Sequence, residues 1–183
     1  MKSLSSAAGK IGLAPGSLVH VGSPQKTETR VTVIEYDRET FAERQVRFVS
    51  DILPSPGKQK VTWVIVEGLS DVTLIEELGR NFSIHPLVLE DILNTHQRPK
   101  FEEYEDYLFI ALKAISLGSE GFTVEYEQIS LLLMDNFVLT FREKADDFFL
   151  PLRKRLEDDR GRLRNQGSDY LAYVILDTIV DHY

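Results

Sequence analysis

The chain has 183 residues, of which 43% are hydrophobic and 27% are charged, a composition typical of a globular domain and not of a disordered or low-complexity chain. It contains no cysteine, which excludes disulfides, thiolate metal sites and cysteine nucleophiles. Its 21 basic and 29 acidic side chains give a formal net charge of −8. This charge predicts no nucleic-acid partner and favours cations.

The first part of the chain predicts three strands. A short strand is expected at Leu18–Val21, between turns rich in proline and glycine, and a second at Arg30–Tyr36, where apolar residues alternate loosely. Residues 54–60 are predicted to form a surface loop, and Val61–Val66 the third strand. No leader segment is predicted before them, because Met1–Ala8 has no apolar stretch behind it.

Two helices are predicted next. Ser70 is expected to cap a helix whose apolar side chains recur with helical spacing from Val72 to Phe82. Pro86 suits the first turn of a second helix, His85–Leu93, and Pro99 prevents that helix from continuing.

The second part returns to strands and ends in helices. Leu108–Leu112 is a continuous apolar run, typical of a central strand covered on both faces, and a hairpin is predicted from Tyr126–Met134 and Phe137–Phe141. Helices are expected from 146 to about 158 and from Ser168 to the end of the chain. Together the elements predict an α/β fold with a mixed sheet flanked by helices.

The last predicted helix is apolar over most of its circumference, so it is expected to be buried on several sides. Its longest apolar run, Tyr170–Leu176, is too short to span a bilayer, which needs about 18 to 20 residues. The chain as given is therefore predicted to be soluble. We expect either that it is a fragment of a longer polypeptide or that this helix packs against another subunit.

Three groups of acidic residues are candidates for a functional site: Glu90 with Asp91, the cluster from Glu102 to Asp106, and the pair Asp177 and Asp181. The last two are four residues apart, so both lie on one helical face, where their like charges repel. A divalent cation, a basic partner or protonation would relieve that repulsion. Alternatively, all three groups are the solvated sides of their elements.

The residue types limit the chemistry. Carboxylates without thiols or clustered imidazoles favour a hard ion such as Mg²⁺, Ca²⁺ or Mn²⁺ over zinc or copper. The four histidines form no zinc motif, and the sequence contains no phosphate-binding glycine loop or nucleophile elbow. The basic residues from Arg153 to Arg164 could contact phosphate, but interspersed acids favour a solvated helical face.

The segment His85–Asn94, followed by His96–Lys100 and Tyr104–Ile110, resembles the cytoplasmic N-terminal domain of the CorA magnesium and cobalt transporter family. The resemblance continues through 168–171 and 176–183, and 13–19 is similar to the family's N-terminus. It implies a three-layer α/β/α sandwich with a mixed parallel and antiparallel sheet, truncated before the stalk helix and the membrane helices. Residues 1–165 would then form the metal-sensing domain, and 166–183 would begin the helical region leading to the stalk.

The resemblance also implies a function. The full-length protein would be a homopentameric Mg²⁺ and Co²⁺ channel, not an enzyme, with this domain at the cytoplasmic face of the cell membrane. Family sites between subunits match Glu90, Asp91 and Asp177 here, together with a stalk aspartate that this chain lacks; Asp181 is a secondary candidate by position. Regulatory Mg²⁺, with Co²⁺ or Ca²⁺ able to replace it, is the expected ligand.

Electrostatics gives this expectation a mechanism. Carboxylates facing one another across two subunits repel, and a bound cation turns that repulsion into attraction, so Mg²⁺ would hold the closed arrangement and limit its own influx. Two alternatives stay open: a Mg²⁺-dependent phosphoryl-transfer or hydrolase domain, and a metal-independent acidic interaction module. Zinc transport by a related subfamily is a narrower alternative.

Overall fold

The computed structural model describes residues 28–52, 60–117 and 123–181. The strand predicted at 18–21 and most of the loop predicted at 54–60 lie outside these residues. The strands are β1 Arg30–Tyr36, β2 Phe41–Val46, β3 Val61–Glu67, β4 Lys100–Glu103, β5 Leu108–Leu117, β6 Val124–Leu133 and β7 Phe137–Arg142. The helices are α1 Val72–Asn81, α2 Pro86–Leu93, α3 Leu150–Glu157 and α4 Ser168–Val180, with short 3₁₀ helices at Val49–Ile52 and Leu163–Asn165.

The seven strands form one sheet in the order β2-β1-β3-β7-β6-β5-β4. β3 and β7 pair in parallel, with Trp63 opposite Val138, and the other neighbouring strands pair antiparallel. The predicted mixed sheet is therefore confirmed. All seven residues of β3 are buried, as expected for a strand in the middle of a sheet covered on both faces.

Two hydrophobic cores lie on the two faces of this sheet. Because successive side chains of a strand point to opposite faces, Val64 and Val66 pack with α1 and α2, whereas Trp63 and Ile65 pack with α3 and α4. Trp63 is fully buried and donates from Nε1 to Thr140 Oγ1 at 3.0 Å. The three-layer α/β/α sandwich expected from the resemblance is confirmed.

The sheet differs from the prediction at its edges. The edge strands β2 and β4 have no sequence signal that predicts them, since they are short and carry several charges. The strand predicted at Leu108–Leu112 is present, but β5 lies next to an edge strand. Phe109 and Ala111 are buried while Ile110 and Leu112 are half-buried, so the predicted central position is wrong.

The helices agree in number and differ in detail. Asp71, not Ser70, caps α1, because its Oδ1 accepts a hydrogen bond from the Leu74 N–H at 3.0 Å. α3 begins at Leu150, later than expected, after Asp147 with a φ of 56°. α4 begins at Ser168 as predicted but exposes one stripe, which includes Tyr173 and Asp177. No helix in the described ranges is long and apolar enough to cross a membrane.

Candidate functional site

The acids Glu90 and Asp91 are positioned by α2, which starts at a local cap. His85 has extended backbone, and its Nδ1 accepts a hydrogen bond from the Leu87 N–H at 3.2 Å, while Pro86 occupies the first turn. The apolar face of α2 is buried against the sheet. Glu90 and Asp91 therefore lie at the border between the buried and solvent-facing sides of this helix, and both are half-buried.

Asp91 is held by polar groups of its own chain. Lys100 on β4 pairs with its Oδ2, and Gln97 donates to its Oδ1. The Gln128 side chain donates to the Asp91 backbone carbonyl at 2.9 Å. The Asp91 carboxylate therefore already has a charged partner. Its side chain is only 18% exposed, which leaves it little free surface.

The same lysine contacts a second carboxylate. Lys100 Nζ lies 3.0 Å from Glu102 Oε1, and the Tyr104 hydroxyl donates to Glu102 Oε2 at 3.0 Å. Burial alone would raise the pKa of Glu102, but the hydrogen bonds from Lys100 and Tyr104, together with the charges of Lys100 and His85, outweigh it and lower that pKa. Burial and the hydrogen bond to Glu102 raise the pKa of Tyr104 to about 12. Glu102 is thus held by two side chains, whereas Glu103, Glu105 and Asp106 are exposed, as the interpretation of the cluster as a solvated side predicts.

The second predicted pair lies at the end of α4. Asp177 and Asp181 are both exposed, and the N–H of Asp181, the C-terminal cap residue of α4, donates to the Asp177 carbonyl at 2.9 Å. Tyr173, one turn before Asp177, is 59% exposed. Asp177 therefore lies on the open side of α4 and not among buried apolar side chains.

The structure places the four predicted residues at two separate locations. Glu90 and Asp91 belong to the helical layer that packs on one sheet face, and Asp177 and Asp181 to the layer on the other face. In the ranges 28–52, 60–117 and 123–181, no three histidine or acidic side chains converge as a metal site would require. A cation bound by acids from both layers would have to lie between two copies of the chain.

A cavity of about 650 Å³ lies beside the start of α2 and has no counterpart among the sequence predictions. Its wall includes His85, Tyr104 and Tyr107. The two tyrosine rings stack with centroids 4.7 Å apart, and the Tyr107 hydroxyl accepts from the His85 N–H at 2.9 Å. These contacts fix the first turn of α2, and with it the direction in which Glu90 and Asp91 point.

A buried ion network at one end of the sheet was also not predictable from the sequence. Arg142 at the end of β7 donates to both carboxylate oxygens of Glu127, at 3.0 and 2.6 Å. Arg30 donates to Glu67 Oε2 at 2.5 Å from Nη2. Each arginine of this network pairs with a glutamate, so the network is a structural cluster and not an open binding site.

The basic residues from Arg153 to Arg164 divide into two kinds. Lys154, Arg155 and Arg162 are exposed, as a solvated helical face predicts. Arg153 instead pairs with Glu43 of β2, and Arg164 donates to the Leu156 carbonyl at 2.6 Å. These two contacts attach α3 and the following turn to the domain.

Comparison with known proteins shows the family. Residues 58–183 match the family model described as CorA-like Mg²⁺ transporter protein. The chain is 41% identical over 174 residues to the cobalt/magnesium transport protein CorA of Thermotoga maritima. That match covers 95% of this chain and 49% of the Thermotoga protein, so the chain spans about half the length of that relative.

Solved structures agree with this fold. The soluble domain of CorA from Methanocaldococcus jannaschii superposes with a TM-score of 0.61 at 19% identity, covering 82% of this chain and 56% of that one. The full-length CmaX protein superposes with a TM-score of 0.66 at 12% identity, covering 84% and 46%. At these identities the structures support the fold alone, and the sequence matches carry the family assignment. The chain belongs to the CorA-like Mg²⁺ transporter family.

Proposed function

We propose that this chain is the regulatory domain of a divalent-cation transporter and that it has no enzymatic role. The full-length protein would be a homopentamer in the cell membrane, with this domain at the cytoplasmic face and the membrane-crossing part in a segment beyond it. Mg²⁺, or Co²⁺ or Ca²⁺ in its place, would bind between subunits through Glu90, Asp91 and Asp177, with Asp181 as a secondary ligand.

One observation carries this proposal in a chain of this family: its candidate ligands occupy opposite layers of the sandwich. Glu90 and Asp91 lie on α2 and the exposed Asp177 on α4, so one chain offers each half of a site on a different surface. A ring of identical subunits brings such unlike surfaces together at every interface. A cation at that interface would offset the repulsion between the facing carboxylates.

The proposal gives cytosolic Mg²⁺ a direct effect on gating. If the ion binds the packed arrangement of subunits more tightly than the loosened one, it stabilises the packed state by that difference in affinity. When cytosolic Mg²⁺ falls, the sites empty and the loosened, conducting state becomes populated. Influx is thereby limited by the Mg²⁺ that it delivers. The division of the chain into residues 1–165 and 166–183 stays a prediction of the same scheme.

The test uses the full-length protein and the Mg²⁺ dependence of its protection from protease. Asp91→Ala and Asp177→Ala are each expected to move the protection midpoint to higher Mg²⁺ concentration, by about tenfold for the loss of one charged ligand. Asp169→Asn is the matched control, because Asp169 is also an exposed acid of α4, two turns before Asp177. It removes the same charge and is expected to leave the midpoint unchanged.

Unchanged midpoints in both alanine variants would refute the sensor. An equal shift in all three variants would show that overall charge, and not a site, sets the response. Calorimetry with Mg²⁺ at fixed ionic strength then separates ion binding from the metal-independent interaction module, which predicts no saturable heat.

A further inference from the structure

Lys100 lies between two carboxylates on the side of β4 that faces α2. Its Nζ pairs with Asp91 Oδ2 and lies 3.0 Å from Glu102 Oε1. The Lys100 side chain is 25% exposed, and its ammonium group lies 5.4 Å from the centre of the Phe109 ring. A positive charge is therefore already present at the carboxylate for which the proposed function requires a cation.

Glu102 is fixed independently of the lysine. The Tyr104 hydroxyl donates to Glu102 Oε2 at 3.0 Å, and Tyr104 itself stacks on Tyr107. Glu102 lies two residues from Lys100 on the same side of the short strand β4, because side chains alternate between the faces of a strand. If Lys100 leaves Asp91, Glu102 remains in place as its partner.

From this geometry we infer that Lys100 is a tethered competitor of the divalent ion at Asp91, and that Glu102 is the alternative partner that makes its displacement possible. The inference rests on the proposed function and concerns the regulation of that site. Binding of the ion exchanges one cation for another at Asp91, while the ammonium group keeps an ion pair with Glu102. Asp91 and Glu102 each keep a positively charged partner, both with and without the bound divalent ion.

The exchange has a consequence for the concentration at which the site responds. A carboxylate that must first release a tethered ammonium group binds a free ion more weakly than an unpaired carboxylate would. Lys100 therefore shifts the response to higher Mg²⁺ concentration. Glu102 acts in the opposite direction, since it lowers the cost of displacing the lysine.

The test measures the Mg²⁺ midpoint of protease protection in the full-length protein for two variants with opposite expectations. Lys100→Met keeps the length of the side chain and removes its charge, and is expected to lower the midpoint by about fivefold. Glu102→Gln leaves Lys100 with Asp91 as its charged partner, and is expected to raise the midpoint by a similar factor. In a Lys100→Met background, Glu102→Gln should have no further effect.

Three controls separate this exchange from a general change of charge. Lys100→Arg keeps the cation and should restore most of the wild-type midpoint. Lys144→Met also removes one positive charge, but Lys144 pairs with Glu125 at 3.0 Å and not with Asp91. This variant should leave the midpoint unchanged. Glu103→Gln changes the neighbouring exposed acid, whose side chain points to the other face of β4, and should not change it either.

Two kinds of failure are distinguishable. If Asp91→Ala leaves the midpoint unchanged, the proposed sensor at α2 is wrong and the inference falls with it. If Asp91→Ala shifts the midpoint while Lys100→Met leaves it unchanged or raises it, the sensor stands and the inference about Lys100 is overturned. Equal shifts in Lys100→Met and Lys144→Met would also overturn it, and thermal unfolding of each variant verifies that the domain is folded.

Discussion

At the scale of single residues, the buried ion network shows how charged partners stabilise a guanidinium group that has been removed from water. Arg142 is 1% exposed, and its partner Glu127 is 7% exposed. Its Nη1 lies 2.6 Å from Asp146 Oδ1 and 3.8 Å from Glu67 Oε1, without a well-aligned hydrogen bond among the described residues. Burial opposes the charged form, but Glu127 and Asp146 outweigh it and raise the pKa of Arg142. An arginine guanidinium keeps its charge in proteins, so the domain buries a cation here.

Arg142→Met is expected to destabilise the domain by about 3 to 5 kcal/mol, because it leaves the carboxylate of Glu127 buried without its countercharge. The measurement is the free energy of unfolding from urea denaturation. Arg142→Lys should recover only part of the lost free energy of unfolding, since an ammonium group cannot reproduce the bidentate contact with the Glu127 carboxylate. A loss below about 1 kcal/mol for the methionine variant would contradict the assigned role of this pair.

Asp37 gives a prediction about pH. Its Oδ1 accepts hydrogen bonds from the N–H groups of Glu39 and Thr40, at 2.9 and 2.7 Å, in the turn between β1 and β2. The Glu39 N–H, followed by the groups of Thr40, lowers the pKa of Asp37. A lowered folded-state pKa stabilises the fold above the unfolded value of about 3.9, and this contribution disappears as pH falls through the folded value.

Asp37→Asn keeps an acceptor oxygen in the turn but cannot titrate. The difference in melting temperature between the wild-type chain and this variant should therefore be constant above about pH 5 and should shrink as the pH falls below about 4. Carbon-detected NMR titration of the Asp37 carboxyl group gives the folded pKa directly. Parallel acid curves for the two proteins would contradict the predicted linkage.

At the scale of elements, the sequence predicts best those segments whose burial is regular. β3 is buried along its whole length, and α2 combines a proline in its first turn with a continuous apolar face, so both were predictable within about a residue. β2 and β4 lie at the two edges, where charged side chains replace the apolar pattern. The late start of α3 depends on a positive φ at Asp147, which local sequence does not indicate.

The cap of α1 gives a prediction at this scale, because two neighbouring residues could each serve as cap. Asp71 Oδ1 accepts from the Leu74 N–H at 3.0 Å, whereas the Ser70 hydroxyl lies 3.3 Å from Thr29 Oγ1. Asp71→Ala should lower the free energy of unfolding by about 1 kcal/mol, and Asp71→Ser should recover most of the loss. Ser70→Ala is the comparison, and a larger effect there than at Asp71 would assign the cap to Ser70.

The candidate site was predictable in its residue types and not in its pairing. The acidic pair on α2 and the spacing of Asp177 and Asp181 are visible in the sequence. The contact of Asp91 with Lys100 depends on β4 lying beside β5, and β4 has no strand signal of its own. The exposure of Asp177 depends on which stripe of an almost wholly apolar helix meets the sheet. Both facts belong to tertiary structure.

At the scale of the whole molecule, the sandwich separates the candidate ligands by the full thickness of the sheet. α2 packs on one face and α4 on the other, so Asp91 and Asp177 of one chain lie in opposite layers. In the proposed assembly, a heterologous interface, in which the α2 surface of one subunit meets the α4 surface of the next, would bring them together, and such interfaces form a ring where the rotation between subunits closes. An isologous dimer would instead pair like surfaces.

This arrangement predicts complementation between defective subunits. If the proposed site is correct, full-length protein made only of Asp91→Ala subunits would lack one half of each site, and protein made only of Asp177→Ala subunits would lack the other. When the two are co-expressed in equal amounts, an Asp177→Ala subunit can present an intact α2 surface to the intact α4 surface of an Asp91→Ala neighbour. Random mixing gives about one intact interface in four.

The measurement is Mg²⁺-dependent protease protection of the co-assembled protein, purified through different tags on the two subunits. At a Mg²⁺ concentration that protects the wild-type protein and neither homomer, a fraction of the mixed protein should be protected. Mixing the two homomers after assembly should give no such fraction. If the co-assembled protein behaves as the average of its homomers, Asp91 of one subunit and Asp177 of the next do not share a site, and the proposed division of the site between the two layers is contradicted.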